Sequence, residues 1–459
     1  MAQYSQQQCK FVILQRSYAC KFNHLLRTTS PHLIREYASE FDQLKKEVVE
    51  SIASEDKKVL DATTWRQMEL RVNDAGLGLT SSMSVVSSAY IAGVVGAYPF
   101  LPEALQHDLK SEAGTSVQFP GIVESFRREV SEFNTKLQSA ITIESLFARD
   151  NYADKRCKLQ EVLQDQIYDK ELQTFKSEVM SSMSRNRKAI CLSTCSAASS
   201  AWLTAIPRRE ELRIPSAQFQ AALCHRYHLD QPSIPTNLRC TCKRGAMIDV
   251  KGAHIQQFCG MDGLRSDTHD SVAHTVADIM RGAGCLVRTE QRVCPDSGRR
   301  SDCATNQNPL ASEPLHVDVK VTAVHPETGQ LSNANALKQG RAAAAGFSEK
   351  INDYGNLPTT NNFQLLPFSI ENHGFIEPRS LKLLEVLAAK AELSWRIPSK
   401  VIFGYYLKLI SVSLQRGMAT SIVSRARTIS SGIATSKTAA WRPVIPEQVR
   451  EYMYIDRRR

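Results

Sequence analysis

A chain of 459 residues, 42% hydrophobic and 23% charged, is long enough for two to four domains, and that balance excludes a disordered or collagen-like polymer. Its formal charge of +10 and pI near 9.0 suit a polyanionic partner, since lysine and arginine neutralise phosphates and release counterions, although charge alone names no partner. The start, Met1 to Gln8, is polar and lacks the apolar segment of a secretory signal. A reducing, nuclear or cytoplasmic setting is therefore expected, in which the twelve cysteines are metal ligands or buried thiols.

From Leu25 to about Ala104 apolar residues recur three and four apart, as in Phe41, Leu44, Val48, Val49 and Ile52, which predicts a small all-α unit. Gly76-Leu77-Gly78-Leu79 interrupts it as a turn. The most apolar stretch, Val85 to Leu101, holds Gly93 and Gly96, closes on Pro99 and is shorter than a bilayer span, so it reads as a packed helix with no membrane partner. Residues 121 to 183, rich in Glu, Lys, Gln and Leu, predict one or two long solvated helices bridging domains. Inside them Asn151-Tyr152-Ala153-Asp154 imitates a polymerase turn, but Lys155 stands where the second carboxylate of a two-metal site belongs. Ser193 to Ser200 reads as a small-residue linker into Ala201-Trp202-Leu203, with a domain boundary near 185. Ser216 to Tyr227 has helical spacing, and Asp230 to Pro235 breaks it. Farther on, the periodicity predicts helices at Asp270–Met280, Ala334–Tyr354, Leu381–Glu392 and Tyr405–Arg427, and strands at Cys285–Val293, Leu315–Thr322 and Phe363–Glu371. Together these elements describe an α+β multi-domain chain, all-α at its N-terminal side and α/β beyond.

Two constellations carry chemistry. Cys240 and Cys242, then His254 and Cys259, offer three thiolates and an imidazole, a complete set for a structural zinc ion. Only one residue separates the first pair, so those two ligands need a tight turn; four ordinary core residues are the alternative. Lys243, Arg244 and Lys251 lie in the loop between ligands, where they can meet a phosphate backbone or simply solvate the loop. The second constellation is Arg300-Ser301-Asp302 followed by His316-Val317-Asp318-Val319-Lys320-Val321-Thr322. Alternation sends Asp318, Lys320 and Thr322 to one face and the three valines to the other. Two carboxylates from adjacent strands can hold Mg²⁺ against a phosphodiester, and a neighbouring lysine can serve the attacking water. The same spacing also describes an amphipathic edge strand.

Read together and in their order, these pieces resemble the C-terminal region of reverse-transcriptase-like proteins from non-LTR retrotransposons that carry a restriction-like endonuclease. The landmarks are Cys240, Cys242, Gly252-Ala253-His254 and Cys259, then Thr268-His269-Asp270, Glu290, Arg300-Ser301-Asp302, Asp318-Val319-Lys320-Val321, and Glu349-Lys350 with Tyr354. Upstream, Trp65, Gly76-Leu77-Gly78-Leu79 and Ala89-Tyr90-Ile91-Ala92 are similar to the region after the polymerase palm. The chain departs from the family pattern at Ser301, where a proline is usual, and at Thr268, where an arginine is.

The resemblance implies a helical thumb-like remnant over 1–110, a helical linker over 111–184, a connector with the zinc knuckle over 185–262, a PD-(D/E)xK endonuclease domain with a mixed central sheet over 263–430, and a flexible basic tail over 431–459. It assigns Asp302 and Asp318 to catalytic magnesium, Lys320 to the water and Glu290 to completing the site. Arg300, Lys350 and Tyr354 would face the DNA. The implied activity is nicking of target DNA for target-primed reverse transcription, with DNA or RNA as partner and a reverse transcriptase core supplied by another chain or a missing N-terminal part; no polymerase activity is expected here. The competing reading is an inactive or repurposed nucleic-acid-binding fragment.

Overall fold

The computed structural model describes residues 6–54, 59–111, 118–148, 158–242, 245–259, 264–294, 298–324 and 333–431. Lys243, Arg244, the Asn151–Lys155 stretch and all of the basic tail after residue 431 lie outside them.

Helices dominate the first half. They include α1 (Gln6–Ile13), α2 (Pro31–Ala53), α3 (Ser82–Ala97), α4 (Pro120–Leu137), α5 (Leu159–Thr174), α6 (Arg185–Thr194) and α7 (Ser216–Arg226). With its short extension to Phe100, α3 is long and apolar enough to cross a membrane. Its residues nevertheless divide between two protein cores: Val85, Val86 and Ala89 pack with Leu26, Ile34 and Ala38, and Tyr90, Ile91 and Val95 pack with Phe126, Val130 and Ile167. The expectation of solvated bridging helices over 121–183 is thereby corrected, because Val123, Phe126, Val130 and Phe133 of α4 recur at helical spacing and bury a stripe. Ser193 to Ser200 is likewise no linker. Ser193, Thr194, Ser199 and Ser200 are fully buried, and the small side chains let the chain turn tightly between α6 and Trp202.

The second half opens with α8 (Leu264–Gly282), continues through the strands β1 (Arg288–Arg292), β2 (Arg300–Thr305) and β3 (Leu315–Thr322), then α9 (Arg341–Tyr354) and β4 (Gln364–Glu371), and closes with α10 (Pro378–Trp395) and α11 (Ser399–Ser431). The sheet runs in the order β1-β2-β3-β4; its first two pairings are antiparallel and the last is parallel. A parallel pair needs a crossover, and the chain between β3 and β4 supplies α9. The mixed sheet expected from the sequence is present; the helix expected from Ala334 begins later, at Arg341, after Gly340 in the left-handed region (φ 72°).

Two layers enclose the sheet. Val317 and Val319 of β3 and Phe368 and Ile370 of β4 join Val272, Val276 and Met280 of α8, Leu383 and Leu387 of α10, and Ile410 of α11 in one core. That core also takes in Phe11, Val49, Trp202 and Phe219, so the N-terminal helices share it rather than standing apart. On the opposite face, α9 lies close against the sheet. Ser369 Oγ donates to Ala343 O (2.7 Å), and the buried Glu371 carboxylate accepts from the amides of Ala342 (3.1 Å) and Ala343 (3.2 Å) at the helix start.

Gly346 permits that closeness: a Cβ there would lie 2.9 Å from Thr322 Oγ1, 3.0 Å from Ser369 Oγ and 3.1 Å from Lys320 Cγ. Gly346→Val is expected to lower the unfolding free energy in urea by about 1–3 kcal/mol through overpacking. Gly404→Ala in α11, where an added Cβ meets nothing within 4 Å, is expected to raise it by about 0.5–1 kcal/mol.

Candidate functional site

The β2–β3 register pairs Cys303 with Val317 and Ala304 with His316. One step on, the strands part and their two aspartates meet. The ligand atoms of Asp302, Asp318 and His269 all lie within 4.8 Å of one another. Asp302 Oδ2 accepts the amide of Val319 (2.6 Å) and lies 3.4 Å from His269 Nε2. His269 Nε2 is also 3.0 Å from the Val319 carbonyl, and Nδ1 is 3.0 Å from Asp270 Oδ1. Acceptors thus face both ring nitrogens, an arrangement that suits an imidazolium.

Asp318 is 5% exposed and its partners come from α9. Lys350 Nζ lies 2.8 Å from Oδ1, and Tyr354 donates its hydroxyl to Oδ2 (2.7 Å) while standing 2.9 Å from the carbonyl of Arg300. Residues 350 and 354 are one helical turn apart and share a face, which brings both to one carboxylate.

The two aspartates diverge in acidity. Burial pushes the Asp302 carboxyl up, but the hydrogen bond and charge of His269, the Val319 amide and the Lys350 charge outweigh it and hold the group below its ordinary value. Asp318 is held above its ordinary value by burial and by the charge of Asp302, against the pull of Lys350 and Tyr354. His269 rises to about 9: burial works against its charged form, and Asp302, Asp270 and the Val319 carbonyl overcome that penalty.

Other expected residues stand elsewhere. Lys320 is ion-paired with Glu349 (2.7 Å), so the ammonium beside the acidic pair belongs to Lys350. Lys350 and Tyr354, expected to face DNA, turn instead to Asp318. Glu290 is exposed on the edge strand β1 with φ 53°; the flanking pairs Thr289–Cys303 and Gln291–Ser301 set it level with Asp302, but it is not in the group of converging ligand atoms. Arg300 is exposed and directly opposite Arg292. Lys251 donates to His228 O (2.8 Å) and pairs with Asp230 (3.3 Å), which ties it to the protein. His269 is the residue whose part the sequence understated: it belongs to the Thr268-His269-Asp270 landmark, yet spacing alone does not reveal that α8 carries it to Asp302.

The four residues read as a knuckle do converge. Cys240, Cys242, His254 and Cys259 are all buried, with their ligand atoms within 4.8 Å of one another. Cys240 Sγ is 3.6 Å from Cys259 Sγ, and Cys242 Sγ is 3.6 Å from His254 Nε2. Zinc bonds of about 2.3 Å to sulfur and about 2.0–2.1 Å to nitrogen set tetrahedral ligand atoms about 3.4–3.8 Å apart, so the cluster can hold a metal such as zinc. Across the single residue between the first two cysteines the amide of Cys242 donates to Cys240 Sγ (3.4 Å), and beyond them Gly245, in the left-handed region, donates to Cys242 O (2.8 Å) while Cys240 donates to Ala246 O (2.9 Å). Asp249 caps the ligand-bearing turn, accepting from the amides of Ala253 (3.0 Å) and His254 (2.8 Å).

The purified chain is expected to carry one zinc ion, lost in Cys240→Ser, with elemental analysis as the measurement. At free zinc roughly 1,000-fold above its dissociation constant, linkage makes the accompanying loss of stability about 4 kcal/mol, read by thermal unfolding with and without chelator. Zinc content unchanged in the variant would exclude the cluster as the metal site.

No protein-family model and no curated protein matches this chain.

Proposed function

We propose that the chain is a metal-dependent DNA endonuclease module of the restriction-like PD-(D/E)xK kind, derived from a non-LTR retrotransposon, that nicks target DNA to prime reverse transcription. The observation that carries this reading is the convergence of Asp302 and Asp318 from neighbouring strands, with Lys350 against them. The mixed sheet, the knuckle immediately upstream and the basic net charge support it.

The donor chemistry fits a hard cation. Two carboxylates offer oxygen ligands suited to Mg²⁺, whereas the nitrogens of His269 are engaged by oxygen acceptors, so His269 positions Asp302 and the aspartates serve as the ligands. Bound there, Mg²⁺ would supply Lewis-acid polarisation of a phosphodiester. Tyr354 orients Asp318, and the Lys350 ammonium orients the attacking water and offsets the charge that develops on the phosphate, in the role expected of Lys320. Exposed Arg292 and Arg300 stand opposite each other on the β1–β2 pair, where a phosphate backbone can lie between them.

One observation favours a second reading. Lys350 and His269 bring two cationic groups to two carboxylates, so the network can balance its charge without a metal and could serve a nucleic-acid-binding fragment that does not cut.

Incubation with supercoiled plasmid and Mg²⁺ separates the readings. Nicking is expected, with Asp318→Asn at least about 1,000-fold slower, the scale of several kcal/mol of lost charge stabilisation. Lys350→Met should lose about 100-fold, on the scale of one general acid–base group, and Lys320→Met less than about tenfold. Salt-dependent DNA retention without nicking by the wild type would establish the second reading.

A further inference from the structure

The knuckle leans on α11. Ile422 and Ala426 of α11 pack among Cys240, Cys242, Ile248, Ile255 and Cys259, with Ile429 alongside. From the same helix face Arg425, 1% exposed, points its guanidinium into the cluster: Nη2 is 3.8 Å from Cys240 Sγ and 3.3 Å from Thr241 Oγ1. Over its 33 residues α11 contains no Asp or Glu, so a negative group facing Arg425 must come from another element.

Charge gives this contact its meaning. Three thiolates, a neutral imidazole and Zn²⁺ sum to one net negative charge, and the four ligands are buried. A buried anion without a counter-charge is costly, and a guanidinium hydrogen-bonded to thiolate sulfur both neutralises it and makes the sulfur less reactive toward alkylating agents.

We propose that Arg425 is the counter-charge of the zinc knuckle, and that metal occupancy thereby fixes the C-terminal end of α11 to the rest of the fold. The inference rests on the zinc reading of the cluster and is independent of the nuclease reading. With the zinc–thiolate anion in place Arg425 is favourably buried and the helix end docks; removing the anion takes away that favourable contact and loosens the helix end.

The test uses the full, zinc-loaded chain. Zinc transfer to the chromophoric chelator 4-(2-pyridylazo)resorcinol is followed for wild type, Arg425→Lys, Arg425→Met and Ile422→Ala, together with alkylation of the cysteines by iodoacetamide. Arg425→Met is expected to release zinc and to be alkylated at least tenfold faster than wild type. Arg425→Lys should stay within about threefold. Ile422→Ala, which trims packing and keeps the charge, should fall well short of the methionine variant. Should Arg425→Met fail to fold, hydrogen exchange on the wild type decides: stripping zinc must speed exchange of the amides of residues 418–431 more than those of β3 and β4. Equal zinc release in wild type and Arg425→Met, an equal effect of Ile422→Ala, or unchanged exchange in α11 on zinc removal would overturn the proposal while leaving the metal site intact. A chain that takes up no zinc would overturn both, and plasmid nicking by that same sample reports separately on the acidic centre.

Discussion

A carboxylate on a central strand, sealed between two helical layers, is the constraint from which much of the second half follows. Asp318 has lost nearly all contact with water, and a charge so placed is tolerated only with strong partners. Those partners lie one turn apart on α9, so the helix must sit at one height and one rotation above β3. Several otherwise unrelated features enforce that pose: the missing side chain at Gly346, the Ser369 hydroxyl on Ala343 O, and the Glu371 carboxylate against the first amides of the helix. Asp302 is held as firmly from the other layer, by His269 of α8 and by the Val319 amide. The acidic pair therefore occupies a seam where two helices and two strands meet, and each element is positioned partly by the charge it must satisfy.

What could be read from the sequence had a local signature. The strand over Leu315–Thr322 was legible to the residue because its valines alternate with Asp318, Lys320 and Thr322, and the core confirms that alternation. Cys240, Cys242, His254 and Cys259 were legible as a set because few other reasons gather soft ligands at such spacing. Less local features were lost. The choice between Lys320 and Lys350 depends on how a helix thirty residues onward lies over the strand, which no window of sequence contains. Ser193–Ser200 looked like a linker because small polar residues suit both exposed turns and crowded junctions. Here the crowding decides: a Cβ added at Gly374 would come within 2.8 Å of Ser199 Cα.

The same limit applies to the organisation of the chain. Composition suggested separable pieces, yet one continuous apolar cluster includes Phe11 near one end and Val423 near the other. Polar ties reinforce it. Buried Arg226 donates to Ser199 O (3.2 Å), Val72 O (3.2 Å) and Ser200 Oγ (3.0 Å), binding the turn between α2 and α3 to the junction ahead of Trp202. An arginine in that setting gathers several acceptors around one planar donor group, and so joins segments far apart in sequence.

The closing helix carries this continuity furthest. At 1.5 Å per residue its 33 residues span about 50 Å, with the sheet's core packed along its earlier turns and the cysteine cluster on its later ones. It therefore works as a rigid spacer, setting both the separation and the relative twist of the two chemical centres. Adding one residue between Leu414 and Ile422 would swing the cluster by about 100° around the helix axis, so the phase of this helix is constrained even where its individual side chains touch neither centre.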